Sequence, residues 1–218
     1  MGALLSCCGL SSSSSSTTAA AESSPQAGDK KKGRQMATTA SYSTAITSAI
    51  TKLKEVGINF LALDFDQTIL DIHTGGRWKG TVEELYPRIR PVFAQLIQAA
   101  QEHDIQVAVV TFSAQTKFVR GVLDHIVGTE AAQQIPIRGG DRSWQYKGGG
   151  SHDGKQPHMA SAVEELETRF EVKISKRTTL LIDDDGRNIE HALRDGTCAI
   201  WFNPSKPHLL LQDIIKFE

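Results

Sequence analysis

The chain has 218 residues, 39% of them apolar, and a formal net charge of −1, enough for one domain with a sizeable core plus an appendage. A charge balance this close to neutrality excludes a general polyanion binder, so no nucleic-acid partner is expected. Cys7, Cys8 and Cys198 form neither a disulfide framework nor a zinc spacing, which suits a reduced, cytosolic domain. No apolar run approaches the ~18 residues of a membrane span.

Residues 1–40 differ in composition from the rest. The stretch "SSSSSSTTAAAESSPQAGDKKKGRQ" is poor in aromatic and branched side chains and is expected to be a disordered tether, leaving 41–218 as the folded domain. "MGALLS" fits an N-myristoylation signal on Gly2, and Cys7 and Cys8 follow where S-acylation adds a second chain. Two acyl chains anchor stably where one does not, so a membrane surface is an expected partner and the cytoplasmic face of a membrane the expected location. Lys30, Lys31, Lys32 and Arg34 add attraction to an anionic leaflet. A Ser-rich, acid-poor leader also reads as a plastid or mitochondrial transit peptide, and both readings stand on the sequence.

Regular patterns begin near Ser41. Ile46, Ile50 and Leu53 share a helical face, and Gly57 supplies a helix stop. "INFLALD" reads as a buried strand, and "VEELYPRIRPVFAQLIQAAQEHD" as helical with a fresh start at Pro91. "IQVAVVTFS" is a second strand, "TKFVRGVLDHIVG" a helix and "QIPIRGG" a short third strand. A helix follows from Pro157, then a fourth strand "RTTLLIDDD", the helix "GRNIEHALRDG" and a fifth strand "TCAIWF". Apolar strands without alternation, separated by helices, predict an α/β domain of Rossmann-like type: three layers around a parallel sheet of about five strands.

In such sheets ligands bind beyond the carboxyl ends of the strands. There the first strand ends in Asp64 and Asp66, the second in Thr111 and Ser113, and the fourth in Asp183, Asp184 and Asp185. Five carboxylates on neighbouring strand ends repel one another unless a cation joins them. Hard oxygen donors without nearby His or Cys ligands favour Mg²⁺, which keeps waters and accepts phosphate oxygens. The residues alone therefore point to a Mg²⁺ site acting on a phosphate.

Asp64-Phe65-Asp66-Gln67-Thr68 resembles motif I, DxDxT/V, of the haloacid dehalogenase superfamily; Thr111 after "VAVV" resembles motif II, and "DDDGRN" with Asp183, Asp184 and Asn188 resembles the DDxxxN form of motif IV. The resemblance covers roughly residues 56–203. It implies that Asp64 is a nucleophile forming an aspartyl-phosphate and also a Mg²⁺ ligand, and that Asp66 is general acid and then base, with its backbone carbonyl on the metal. It further implies that Thr111 bonds the transferring phosphoryl group, that Asp184 binds Mg²⁺, and that Asp183 supports it directly or from behind. Phe65 between the two carboxylates is expected to point into packing. Motif III requires a lysine: Lys155, before a helix, is the first choice and Lys147 the alternative. Gly149, Gly154 and Lys155 also fit a phosphate-loop pattern, but Gln156 stands where Ser or Thr is needed and no strand leads in.

The segments after motifs I and II are too short for a large cap domain, so the resemblance is to capless, magnesium-dependent phosphatases with open sites. Arg77 and Trp78 in "HTGGRWKG", and Arg138, Arg142, Trp144, Tyr146 and Lys147 in the later glycine-rich loop, either grip an anionic substrate with Ser113 or anchor their loops. The histidines show no ligand spacing and are read as surface or packing residues. The expected activity is hydrolysis of a phosphomonoester, the substrate being a phosphoprotein, another extended molecule or a small metabolite. A phosphotransferase and a non-catalytic, membrane-tethered phosphoprotein-binding module are the alternatives.

Overall fold

A computed structural model describes residues 39–218, with side chains from residue 43. Gly2, Cys7, Cys8 and most of the expected tether lie outside the described residues. Helix α1 (Thr39–Glu55) leads into β1 (Phe60–Leu63), and α2 (Pro91–Glu102) into β2 (Gln106–Val110). Helices α3 (Thr116–Val127) and α4 (Thr129–Gln133) precede the two-residue β3 (Ile137–Arg138). Then come α5 (Gln156–Phe170), β4 (Thr179–Asp183), α6 (Gly186–Arg194), β5 (Cys198–Trp201) and α7 (Leu210–Ile215).

All four strand pairings are parallel, in the order β3-β2-β1-β4-β5. The fold is an α/β three-layer sandwich of Rossmann-like type, with an open five-stranded sheet. β1 is the central strand, hydrogen-bonded to β2 on one side and β4 on the other, so the three acidic or hydroxyl-bearing strand ends are neighbours.

Alternate residues of each strand serve opposite faces. Leu61, Leu63, Val107, Val109, Leu180 and Ile182 join α1, α2, α3 and α7 in the larger core. Phe60, Ala62, Ala108, Val110, Leu181 and Ala199 meet α5 and α6, which contribute Met159, Ala162, Leu166, Ile189 and Ala192. The second core is rich in alanine, which leaves little side-chain volume between its helices and the sheet.

Sequence and structure agree on the strands and on the main helices. Gly57, at φ +80°, ends α1: Ile58 N–H donates to the Leu53 carbonyl at 2.8 Å and Gly57 N–H to that of Lys54 at 3.1 Å. The prolines of the second helical stretch split it into a 3₁₀ turn over Glu83–Arg88 and α2, with Pro91 in the first turn. Helices α4 and α7 are additions to the sequence reading; α7 buries Leu210, Leu211 and Ile214. Between Asp66 and β2 lie only loops, a 3₁₀ turn and α2, and between β3 and α5 only a loop, so neither segment holds a separate cap domain. Among the described residues no helix is long and apolar enough to cross a membrane.

Candidate active site

After Leu63 the chain leaves the sheet and turns tightly through Phe65–Ile69. Gln67 takes a left-handed φ of +61°, and its N–H donates to the Ile72 carbonyl at 2.9 Å. The turn sends Phe65, 2% exposed, into the larger core while Asp64 and Asp66 face the cleft. The two carboxylates enter separate networks.

Asp64 Oδ1 accepts from Lys155 Nζ at 2.6 Å. Lys155 immediately precedes α5 and is fully buried; its ammonium also donates to the Val110 carbonyl and lies 3.6 Å from Asp183 Oδ2. One cation thus ties the ends of β1, β2 and β4 together. Asp183 also accepts from the Asp185 N–H at 2.8 Å and from Asn188 Nδ2 at 2.9 Å. Asp184 Oδ1 accepts from Thr68 Oγ1 at 3.3 Å, and the Asp184 carbonyl from Trp201 Nε1 at 2.8 Å. One carboxylate oxygen from each of Asp64, Asp183 and Asp184 falls within 4.8 Å of the others.

Asp66 is held elsewhere. Thr74 Oγ1 donates to its carboxylate, 2.8 Å from Oδ1 and 2.9 Å from Oδ2, and His73 Nδ1 lies 2.9 Å from Oδ2.

Burial raises the Asp64 pKa, against the opposing pull of Lys155. It pushes Asp183 up to about 7, with the charge of Asp64 adding to the effect, and raises Asp184 for the same two reasons in the same order. These three carboxylates hold more negative charge than Lys155 offsets. A cluster of hard oxygens in that state is a donor set that fits a divalent cation such as Mg²⁺. Asp185 differs: it caps α6, accepting from the Arg187 N–H at 2.9 Å and pairing with its guanidinium, which lowers its pKa.

The cleft above these groups has a volume of about 350 Å³. Its walls include Thr111, Phe112 and Ser113 on one side and His73, Gly75 and Gly76 on another. Thr111 Oγ1 accepts from the Ser113 N–H at 3.2 Å, which leaves the threonine hydroxyl proton free to donate.

No family model matches this chain. No curated protein does. A solved structure of an uncharacterized protein from Corynebacterium glutamicum is similar at 14% identity and a TM-score of 0.42, over 74% of this chain and 98% of that one.

The structure brings together Asp64, Asp66, Thr111, Ser113, Asp183 and Asp184, with Lys155 beneath them. Lys147 is exposed and does not line the cleft, so Lys155 is the lysine that meets the acidic cluster. Arg77 and Trp78 do not line it either. Trp78 anchors its loop, packing on the larger core and donating from Nε1 to the Thr81 carbonyl at 2.9 Å. Arg138 is buried against α5, on Ser161 and Glu165. Sequence reading gave Thr68 only as part of the first motif, without a role, and missed His73 and Thr74. His73 was assigned to the surface or to packing, and its imidazole instead meets Asp66; the only available signal was the short distance along the chain from Asp66.

Proposed function

We propose that the protein is a Mg²⁺-dependent phosphomonoester phosphatase that works through an aspartyl-phosphate on Asp64, as the resemblance to capless haloacid dehalogenase-type phosphatases implies. The observation that carries this reading is the separation of two carboxylates only two residues apart. Asp64 touches the buried Lys155 beside Asp183 and Asp184, whereas Asp66 is steered away by Thr74 and His73.

Asp64, Asp184 and Asp183 would hold Mg²⁺, with the Asp66 carbonyl as a further donor; when bound, the ion supplies positive charge to the phosphate oxygens and eases the approach of an anionic nucleophile. In the first half-reaction an Asp64 oxygen bonds to phosphorus as the bond from phosphorus to the ester oxygen breaks. Protonated Asp66 gives its proton to that oxygen, which leaves as the alcohol. In the second, Asp66 takes a proton from water. The water oxygen bonds to phosphorus, the bond from phosphorus to the Asp64 oxygen breaks and restores the carboxylate, and phosphate is released. Lys155 balances charge beside the nucleophile, and Thr111 donates to a phosphoryl oxygen. Among the described residues no cap domain lies over the cleft, which accommodates an extended substrate as well as a small one.

The test is hydrolysis of a chromogenic phosphomonoester with Mg²⁺ and with chelator, by the full chain and by Asp64→Asn. The expected result is turnover that requires both the metal and the carboxylate. Turnover that survives chelation or the substitution overturns the mechanism.

A further inference from the structure

The walls of the cleft hold two features that the phosphoryl-transfer chemistry does not require. The first is Phe112, which lies between Thr111 and Ser113 and is 59% exposed. One exposed apolar side chain is ordinary on a protein surface. Phe112, however, is fixed in place. The His158 ring meets it edge-on, with centroids 5.3 Å apart at 88°, and Trp144 backs His158 at 4.6 Å. Lys155 Nζ lies 4.7 Å from the Phe112 ring centroid. The backbone behind it is clamped too: a Cβ on Gly140 would stand 2.5 Å from the Phe112 carbonyl oxygen, so only glycine allows that approach. A rigid aromatic ring is thus held at a set position beside Thr111 and Ser113, while more than half of its surface faces water. Across the sheet, at the end of β5, a second partly exposed aromatic, Trp201, is fixed by its bond to the Asp184 carbonyl.

The second feature is charge. Among the described residues, five aspartates and no lysine or arginine line the cleft. Asp185 is paired with Arg187 and Asp66 is protonated in the first half-reaction, so Lys155 and one divalent cation offset the remaining three charges, and the phosphate of a substrate then leaves the cleft negative. A leaving group bearing further negative charge meets net repulsion there and finds no cationic side chain to receive it.

Resting on the phosphatase reading, we propose that the cleft selects phosphomonoesters whose leaving group is an uncharged aromatic ring, with Phe112 as the platform on which that ring packs. Phe112 is then the specificity-determining residue, and sugar bisphosphates, nucleotides and esters of acidic molecules are disfavoured. Packing of the two rings, together with the area it buries, amounts to about a tenfold discrimination.

The experiment compares kcat/KM for benzyl phosphate and n-propyl phosphate, whose alcohols are similarly poor leaving groups, and for a benzyl phosphate carrying a ring carboxylate. The full chain is expected to prefer benzyl over propyl by about tenfold, and benzyl over its carboxylate analogue by at least as much. Phe112→Ala is expected to collapse the benzyl-to-propyl ratio towards one, and Phe112→Tyr to restore it. Because the readout is a ratio, any disturbance of Lys155 common to both substrates cancels. N-acetyl-phosphotyrosine amide turned over faster than phenyl phosphate assigns the ring to a protein side chain, and the reverse order to a free small molecule. Asp64-dependent turnover with a ratio near one in the full chain, or a ratio unchanged in Phe112→Ala, overturns the proposal and leaves the phosphatase reading standing. If no ester is turned over, the phosphatase reading falls, and titration of benzylphosphonate against propylphosphonate in the presence of Mg²⁺ decides the ring preference alone: equal binding overturns it.

Discussion

Replacing Lys155 by methionine is the sharpest perturbation of this structure, because it removes a buried cation and little volume. The ammonium sits 2.6 Å from Asp64 Oδ1 and 3.6 Å from Asp183 Oδ2, with the Val110 carbonyl as its third partner. At the effective dielectric of roughly 20 that suits such sites, each carboxylate contact is worth about 4 kcal/mol before desolvation. Taking one partner from a buried ion pair strands the other, at a net cost of about 3–5 kcal/mol. Asp64 and Asp183, already raised by burial, then go higher still, because the group that opposed the rise is gone. For a raised carboxylate, stability is full below its ordinary range and is lost as pH climbs through the folded value. The deficit of Lys155→Met should therefore be small near pH 5 and reach about 3–5 kcal/mol near pH 8 in chelator. Urea unfolding of the full chain at both pH values is the assay. Enzymatic turnover in Mg²⁺ should fall about 100- to 1000-fold, the usual effect of losing one preorganised charge-stabilising group. A variant within about 1 kcal/mol of the parent at pH 8, or equally weakened at both pH values, refutes the reasoning about the buried cation.

Three further outcomes follow from the same geometry. In chelator, the raised Asp183, at about 7, should cost stability as pH rises from the ordinary carboxylate range towards 8; added Mg²⁺ should recover it, so the melting-temperature gap between Mg²⁺ and chelator should widen from pH 5.5 to 8, at about 2–4 °C per kcal/mol. His158 is held down to about 4 by burial, then by Lys155 and Arg138, so its contribution to stability is full above its ordinary value of 6.5 and lost as pH falls. Between pH 6.5 and 4 the parent should therefore lose up to about 3 kcal/mol more than His158→Phe in urea melts. Gly140→Ala should push the Phe112 carbonyl away and lower kcat/KM several-fold while the far-ultraviolet circular dichroism spectrum keeps its shape; unchanged kinetics would show that the contact is slack.

The sheet was legible because strands buried on both faces read as near-continuous apolar runs, and parallel pairing follows once helices alternate with them. The acidic cluster was legible for a related reason. A carboxylate ending an apolar strand is costly without a purpose, and the paired strands β1 and β4 put two such ends side by side. What the sequence did not disclose depended on direction. Arg77, Trp78 and Lys147 have residue types suited to gripping an anion, but residue type does not say which way a loop side chain turns. Thr74 and His73 reach Asp66 because the chain folds back after the left-handed Gln67, a backbone conformation with no strong sequence signature in a non-glycine residue. Phe112 passed as part of a strand, although β2 ends at Val110 and the ring stands in water.

The alanine layer between α5 and the sheet works as a distance gauge for chemistry. Ala62, Ala108 and Ala162 set how closely the helix lies, and the helix sets how far the Lys155 ammonium reaches towards Asp64. Methylenes added there would lift the helix as a spacer lifts a lever, and the loss would register first as a lengthened contact at Asp64. The small core is therefore under two constraints at once: it must be filled, and it must stay thin.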